Sequence, residues 1–444
     1  MSFTSPVFLF AFLPLTVIVY QLARSTKLKN AVWIAAGLLF YAFGDLRHLP
    51  LLLGSCLLHY GAGRYLMAQK KARRAVLLSC VALDLAVLAF YKVRGALPLG
   101  ISFYTFQAIS YVADTYKNPA DGTKNLREAL QYLTFFPQLA AGPFLKFSAL
   151  RPYLDRRETT WEKNAQGVRR FVCGLCKKVL LSTAAAKLAD AMFSLASIDA
   201  LGAWTGALGY CLQLYFDFSG YSDMALGLGL LFGVQLPENF RHPYCAGSVT
   251  EFWRRWHMTL SGWFRDYVYI PLGGSRKGRA RTVFNKLLVF LATGLWHGTG
   301  WTFVLWGLWH GAFCGAETLL DRNKTLKTHW YGHVYTLLVV IFGFVLFRAE
   351  SLPQALMLLR TMLSGFTPVD ACRLALRNLL TVRTAVWCFV GVLACLPVWE
   401  HAKARFDGSR WFSPALDALT IVGLLLCLMQ LASHSFQPFI YASF

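Results

Sequence analysis

Long apolar segments recur throughout the chain and limit the folds that it can adopt. A helix that crosses a bilayer needs about 20 predominantly apolar residues, and several segments approach this length. They span residues 6–23, 31–45, 49–67, 75–92, 96–114, 203–234, 284–297, 301–320, 331–347, 385–399 and 415–432. Charged residues make up 15% of the 444 residues, whereas a soluble domain averages roughly 25%. The sequence therefore predicts an all-α, multi-pass membrane protein with about eleven transmembrane helices.

Cations outnumber acids and lie mainly between the apolar segments. The chain has 44 Lys and Arg against 22 Asp and Glu, a formal net charge of +22. Such an excess is also found in nucleic-acid-binding proteins, but the cytoplasmic loops of membrane proteins carry it too. Because the cations flank apolar segments here, we predict cytoplasmic loops and no nucleic-acid partner.

Two half-apolar stretches are interrupted by proline and glycine, at residues 129–150 and 246–275. Broken backbone at membrane depth is tolerated only where protein or a water-filled cavity covers it. Both stretches are therefore predicted to be re-entrant or interfacial helices. No repeat or low-complexity linker divides the chain, so a single membrane domain over residues 1–444 is expected.

Residues 151–180 are rich in charge and differ from the apolar segments around them. We expect a helix that lies along the cytoplasmic surface and exposes its cations there. The cations in question are Arg169, Arg170, Lys177 and Lys178.

Tryptophan and histidine concentrate between residues 253 and 310, which makes this stretch the candidate site. Seven of the 14 tryptophans and three of the ten histidines fall there. Ionisable side chains at membrane depth are costly and usually face an interior cavity. The candidate histidines are His257, His297 and His310.

Each histidine has more than one interpretation. His257 is either a functional residue or a structural one bound to a backbone carbonyl. His297 ends an apolar segment, where catalysis, a metal or a buried hydrogen bond would explain it. His310 follows thirteen residues later, a spacing that does not form a two-histidine metal clip on one helix. No metal is expected.

The signatures of soluble enzymes are absent from the sequence. There is no phosphate-binding loop and no nucleophile elbow. Asp217 and Asp223 interrupt an apolar segment, where they either line a cavity or pair with a nearby cation; the structural role is favoured. Cys314 could form an acyl-enzyme, but buried packing is the favoured interpretation because no base stands beside it in the sequence.

Ordered motifs extend over most of the chain and resemble the membrane-bound O-acyltransferase family. Within that family, they are most similar to the bacterial branch that O-acetylates alginate, cellulose and peptidoglycan. The motifs span residues 5–10, 98–107, 135–143, 217–223, 237–240, 252–274, 294–311 and 438–441. One mild departure is Thr259, which stands where the family often has serine and keeps the hydroxyl.

The resemblance implies a fold and a set of roles. The family fold is a bundle of about eleven membrane helices around a central tunnel, narrowed by re-entrant elements. His297 of the Leu-Trp-His-Gly motif would be the catalytic residue, and His257 the second functional position. Tunnel-lining residues are expected to be Trp256, Trp296, Asp223, Trp309 and His310.

Four arginines flank the first candidate histidine in the sequence. One guanidinium group can form two hydrogen bonds with the oxygens of a phosphate. These arginines are therefore candidates for binding the phosphates of the acyl donor. An ordinary cytoplasmic positive loop is the alternative, chiefly for the last of them. The candidates are Arg254, Arg255, Arg265 and Arg276.

The expected reaction is transfer of an acetyl group from a cytosolic thioester, acetyl-CoA, for O-acetylation of an exported polysaccharide. No bound cofactor is expected, and His297 would act as a general base. The resemblance also implies residence in the bacterial inner membrane, contact with membrane lipid and an exported acetyltransferase as a partner. Alternatives are an acceptor that is peptidoglycan, a lipid or a D-alanyl carrier, or a transporter built from the same broken helices.

Overall fold

The computed structural model describes residues 1–68 and 71–433, and every regular element in these ranges is a helix. The sequence motif at 438–441 lies outside the described residues. The helices are α1 (Phe8–Leu22), α2 (Thr26–Asp45), α3 (Leu49–Ala68), α4 (Arg73–Arg94), α5 (Ile101–Lys117), α6 (Leu126–Leu133), α7 (Phe136–Leu139), α8 (Phe147–Asp155), α9 (Trp161–Cys176), α10 (Thr183–Ser194), α11 (Ala200–Leu231), α12 (Val249–Arg255), α13 (Met258–Phe264), α14 (Gly278–His297), α15 (Trp301–Leu319), α16 (Asn323–Thr328), α17 (Trp330–Arg348), α18 (Leu352–Ser364), α19 (Asp370–Leu379), α20 (Val382–Ala394), α21 (Val398–Phe406) and α22 (Phe412–Ala432).

Each apolar segment found in the sequence overlaps at least one of these helices, so the all-α prediction is confirmed. Among the described residues, three helices are both long and apolar enough to cross a bilayer: α4, α17 and α22. The pair α19 and α20, bent by 84°, would make a fourth span if it crosses as one unit. The count of about eleven spans stays a prediction.

The two stretches predicted to be broken are short helices. Residues 129–150 fall on α6, α7 and α8, and residues 246–275 fall on α12, α13 and a π-helical turn at Arg265–Tyr269. None of these helices is long enough to cross a bilayer, which needs about 20 residues. They fit the predicted re-entrant or interfacial elements.

Contacts group the described residues into two compact units. The first comprises Met1–Val172 and Tyr221–Glu238, and the second comprises Cys173–Gly220 and 239–433. The single domain over residues 1–444 stays a prediction.

Motifs that are distant in the sequence meet inside the first unit. Gly100 has a φ of +68°, and a Cβ at this position would collide with the carbonyl of Leu139. Glycine is needed here for both reasons, and it lets the start of α5 approach the end of α7. Tyr221 stacks on Phe3, with ring centroids 4.6 Å apart.

Arg170 and Lys178 of the charged stretch form ion pairs with carboxylates. In the first unit, Arg170 donates to Asp223 at 2.6 Å and to Glu238 at 2.7 Å. In the second unit, Lys178 is buried and forms an ion pair with buried Asp217. The predicted surface position is therefore wrong for Lys178. A buried charge requires a partner, and Asp217 supplies it from α11.

Close packing of α14 against α15 organises the second unit. A Cβ on Gly294 would meet the carbonyl of Phe303, and one on Gly307 would meet the carbonyl of Phe290. The contacts run in opposite directions along the two helices, which are therefore antiparallel. Small residues let helices approach closely within a membrane. The three glycines of α15 that face α14 recur every four residues: Gly307, Gly311 and Gly315.

Gly307→Ala tests this close approach. The added methyl group would push against the Phe290 carbonyl, and overpacking of this kind costs about 1–3 kcal/mol. We expect a lower thermal unfolding midpoint, measured on the purified protein in detergent. Gly61→Ala is the matched control, because a Cβ at Gly61 meets nothing within 4 Å. An unchanged midpoint for Gly307→Ala would show that α14 and α15 tolerate a wider separation.

Candidate active site

His297 is the last residue of α14 and is enclosed by aromatic rings. Its side chain is buried, and its ring lies 4.7 Å from Trp296, 5.1 Å from Trp306 and 5.0 Å from Phe347, measured between centroids. These rings come from α14, α15 and α17. Such walls exclude water and strengthen any electrostatic interaction that the imidazole makes.

Gly298 follows His297 and ends α14. A Cβ at this position would collide with the ring of Phe303. The glycine of the Leu-Trp-His-Gly motif therefore has a steric reason: it lets the chain turn against α15 immediately after the histidine.

His310 contacts the same Trp306 ring that contacts His297. Its centroid is 5.4 Å from Trp306 and 5.0 Å from Trp253. The ring is fully buried, and Gly343 of α17 lies so close that a Cβ there would collide with Nε2. Close packing thus fixes this imidazole from several sides.

Several ring nitrogens in this cluster make no hydrogen bond with any described residue. They are Nδ1 and Nε2 of His310, Nε1 of Trp253 and Nε1 of Trp306. Buried polar groups are normally paired, so a concentration of such groups is a feature of sites that receive an additional polar partner. The Trp306 ring contacts both His297 and His310, so an indole whose N–H has no partner among the described residues packs against the candidate base.

His257 occupies a strained turn between α12 and α13. Its φ is +43°, a left-handed conformation that costs a non-glycine residue roughly 1–2 kcal/mol. The turn is held by Asn239, whose carbonyl accepts from the N–H of Met258 at 2.9 Å. The Asn239 side-chain oxygen accepts from the N–H of Thr259 at 3.1 Å and from its hydroxyl at 2.9 Å.

The His257 ring is buried among polar and aromatic side chains. Its Nδ1 lies 3.2 Å from Asn239 Oδ1, and the Phe218 ring is nearly perpendicular to the imidazole, with centroids 4.6 Å apart. Trp296 lies 6.4 Å away between centroids. Since Trp296 also contacts His297, it links the two candidate histidines across the forty residues that separate them in sequence.

Glu317 anchors α12 to α15. Its buried carboxylate accepts from the backbone N–H of Val249 at 2.7 Å and of Thr250 at 2.9 Å. Free N–H groups at a helix start favour an anion. The helix that carries Trp253 is thereby fixed to the helix that carries Trp306 and His310.

The predicted donor-binding arginines differ in their surroundings. Arg254 and Arg276 are exposed. Arg255 is partly buried and donates to Glu251 at 2.7 Å, and exposed Arg265 donates to Asp266 at 2.8 Å. Their role in donor binding stays a prediction.

The other residues that were predicted to line a tunnel differ in their surroundings. Trp256 is buried between Phe252, at 5.5 Å, and Phe240, at 5.1 Å. Trp309 donates its indole N–H to the Val339 carbonyl at 2.9 Å. Asp223 belongs to the first unit and pairs with Arg170, as described above, whereas the histidine cluster belongs to the second. The tunnel-lining role of these residues stays a prediction.

Cys314 packs in an apolar cluster with Val249 and Val339. Lys286 reaches the Cys314 carbonyl at 3.1 Å, which fixes the backbone of the helix at this level. The packing interpretation therefore accounts for this cysteine.

Sequence reasoning missed Trp306, Asn239 and Glu317, although two of them carried a signal. Trp306 precedes His310 by four residues and so shares its helix face. Glu317 is the only carboxylate of the apolar helix α15, and an ionisable group in such a helix calls for a partner. Asn239 lies in the 237–240 motif, but its role was not predicted, because its contacts are with residues about 20 positions away.

Comparison with known proteins relates these residues to a family. Residues 120–358 match the family model described as MBOAT, membrane-bound O-acyltransferase family. The probable alginate O-acetylase AlgI of Pseudomonas putida is 36% identical, with 100% of both chains covered. The peptidoglycan O-acetyltransferase of Helicobacter pylori is 36% identical, with 84% of this chain and 81% of that protein covered. The chain belongs to the membrane-bound O-acyltransferase family.

Membership confirms the enzyme class predicted from the sequence. Proteins of this family are integral membrane acyltransferases, and this chain is one of them. The similarity to the polysaccharide O-acetylation branch is also confirmed, since the probable alginate O-acetylase AlgI of Pseudomonas aeruginosa is 40% identical over 82% of this chain and 75% of that protein. The histidine cluster lies within residues matched by the family model.

Thr259→Val tests whether the Asn239 turn positions His257 for acyl transfer. Valine keeps the shape of threonine but removes the hydroxyl, and loss of one hydrogen bond costs roughly 0.5–1.5 kcal/mol. We expect the rate of acyl transfer to fall about two- to tenfold, measured as thioester consumption by the purified protein in proteoliposomes. Thr259→Ser keeps the donor and should retain the wild-type rate. A wild-type rate for Thr259→Val would contradict a positioning role of this bond.

Proposed function

We propose that this acyltransferase moves an acetyl group from acetyl-CoA in the cytosol, across the bacterial inner membrane, for O-acetylation of an exported polysaccharide. His297 acts as the general base. The observation that supports this assignment is the enclosure of the His297 imidazole by the rings of Trp296, Trp306 and Phe347. The names of the relatives that cover most of the chain support the acetyl group and the polysaccharide.

The proposed reaction begins with the acceptor hydroxyl and the thioester carbonyl side by side. His297 takes the hydroxyl proton while the oxygen attacks the carbonyl carbon, and the carbonyl oxygen becomes negatively charged. Collapse of this intermediate breaks the carbon–sulfur bond and forms the ester. The departing CoA thiolate receives the proton from His297. General-base assistance of this kind contributes roughly 10²–10⁴ in rate.

Hydrogen-bond donors are needed where the oxygen becomes charged. Loss of one such donor typically costs on the order of 10²–10³ in rate. We assign this role to His257 or to the indole N–H of Trp296, and Trp306 adds a further candidate. The Trp306 N–H makes no hydrogen bond with a described residue and its ring contacts His297.

The donor's phosphates would bind to arginines near the candidate site. Arg254 and Arg276 are the best placed, because both are exposed and no carboxylate of the described residues forms an ion pair with either. Arg255 already pairs with Glu251, and Arg265 with Asp266. To bind the donor, each guanidinium group would have to divide its hydrogen bonds between the carboxylate and the phosphate. A tunnel through the protein would let cytosolic acetyl-CoA and an exported acceptor reach the same imidazole.

A second acceptor class is favoured by a specific finding. The relative from Helicobacter pylori is named peptidoglycan O-acetyltransferase, so the sugar of peptidoglycan is the alternative acceptor. More distant is the teichoic acid D-alanyltransferase of Bacillus subtilis, 28% identical over 57% of this chain and 69% of that protein.

We also propose that an exported acetyltransferase completes the transfer to the polymer, as the resemblance implied.

His297→Ala tests the general base. In a deletion strain complemented with this variant, we expect acetyl ester in the cell envelope to fall to about 1% of the wild-type level or lower, in line with the general-base contribution. The measurement is NMR of isolated envelope polymers, with protein level and gel-filtration profile checked for each variant. The exposed His401 of α21 provides the control, His401→Ala, which should keep full acetylation. Normal acetylation with a folded His297→Ala protein would remove the proposed mechanism.

Comparison of two polymers from the same strains identifies the acceptor. If the proposal is correct, deletion of the gene removes acetyl ester from the exported polysaccharide and leaves muropeptide acetylation unchanged in mass spectra. Loss confined to the muropeptides would instead identify peptidoglycan as the acceptor.

A further inference from the structure

A cationic cleft lies in the second unit, and none of the residues assigned to the reaction lines it. It is formed by α10 with the π-helical turn before it, by α20 and by α22. Its polar lining consists of Thr183, Lys187, Arg383, Thr384 and Gln430, beside Trp387. No carboxylate of the described residues lines the cleft, so this lining carries a net positive charge.

The cations of the cleft are not neutralised by acids. Among residues 1–68 and 71–433, no carboxylate forms an ion pair with Lys187 or Arg383. The Arg383 guanidinium donates to the buried Gln430 side chain, a neutral acceptor that fixes the position of the group and leaves its charge. Asp190, one turn after Lys187 on α10, is engaged with Arg348 at 2.9 Å.

The cleft lies at the ends of apolar helices. Arg383 is the second residue of α20, and Gln430 is the third residue from the end of α22. Arginine and lysine near the ends of membrane helices extend toward the polar headgroups, and tryptophan is enriched at the same level. Trp387 therefore fits the membrane interface. The N-terminus of α20 also favours an anion.

Apolar surface surrounds the cleft. The most apolar 18 residues of α22 have a mean hydropathy of 2.1, and 11% of them are buried. On α20, Val386 and Phe389 are 49% and 64% exposed, and on α22 Leu425 and Met429 are 54% and 69% exposed. Contact with acyl chains would remove this apolar surface from water, whereas a small dissolved anion would leave it exposed.

We propose that this cleft binds the phosphate of an anionic membrane lipid, with Lys187 and Arg383 contacting the headgroup and the acyl chains lying along α20 and α22. A soluble phosphate ester carries the same phosphate group as the lipid headgroup. The exposed apolar helices identify the lipid as the source. The site is independent of the proposed reaction.

Lipid binding by the full chain tests this site. The purified protein in detergent is titrated with phosphatidylglycerol, with phosphatidylcholine of the same acyl chains, and with soluble glycerol 3-phosphate, and bound lipid is counted by native mass spectrometry. We expect phosphatidylglycerol to bind at least about tenfold more tightly than phosphatidylcholine, because each cation near the membrane surface contributes about 1 kcal/mol toward an anionic lipid.

Variants locate the binding. The pair Lys187→Gln and Arg383→Gln should weaken phosphatidylglycerol binding about tenfold or more. The matched control removes two exposed cations elsewhere, Arg360→Gln and Arg377→Gln, and should bind as the wild type does. Lys187→Gln alone changes an exposed side chain that the fold does not need, and should weaken binding about fivefold.

Two results would overturn the proposal. One is phosphatidylglycerol binding that is the same in Lys187→Gln, in the double variant and in the wild type. The other is binding of glycerol 3-phosphate as tight as that of phosphatidylglycerol, which would make the cleft a site for a soluble anion. Neither result bears on His297, so this test and the test of the proposed function fail separately.

Discussion

The close approach of α14 and α15 is the constraint on which the candidate site depends. Lipid chains are as apolar as the side chains of these helices, so the hydrophobic effect does not drive the helices together and van der Waals packing must. Glycines at 294 and 307 let the two backbones touch. As a result, His297 at the end of α14 meets Trp306 of α15, and Gly343 of α17 closes against His310 in the same way. The absence of a side chain at these glycines therefore shapes the site.

Polar groups in the second unit follow two different patterns. Outside the histidine cluster, buried charge is compensated: Lys178 by Asp217, and Glu317 by the backbone N–H groups at the start of α12. Within the cluster, the nitrogens of His310, Trp253 and Trp306 have no described hydrogen-bond partner, and the backbone of His257 is strained. Concentrated strain and unsatisfied polar groups are features of functional sites, where the surrounding structure holds a costly arrangement. Stability is thus supplied around the cluster rather than inside it.

Much of the helical framework could be predicted, because apolar segments near 20 residues form helices whatever their neighbours are. The broken stretches were also predictable, since proline and glycine act locally. Lys178 was misassigned because a count of nearby charges contains no information about Asp217, which lies 39 positions further along the chain. The role of Asn239 was invisible for the same reason, and that of Glu317 depends on a helix start that folding brings to it.

By itself, the sequence determined the all-helical membrane class, the family and the candidate histidines, because these depend on composition, local periodicity and ordered motifs. Tertiary structure alone decided which of these residues meet. Trp296 lies between His257 and His297, and Trp306 lies between His297 and His310, whereas Asp223 joins Arg170 in the other unit. The physical reason is that contacts between helices depend on where small residues permit close approach and where each buried charge finds its partner. Both are properties of pairs of segments that no single segment specifies.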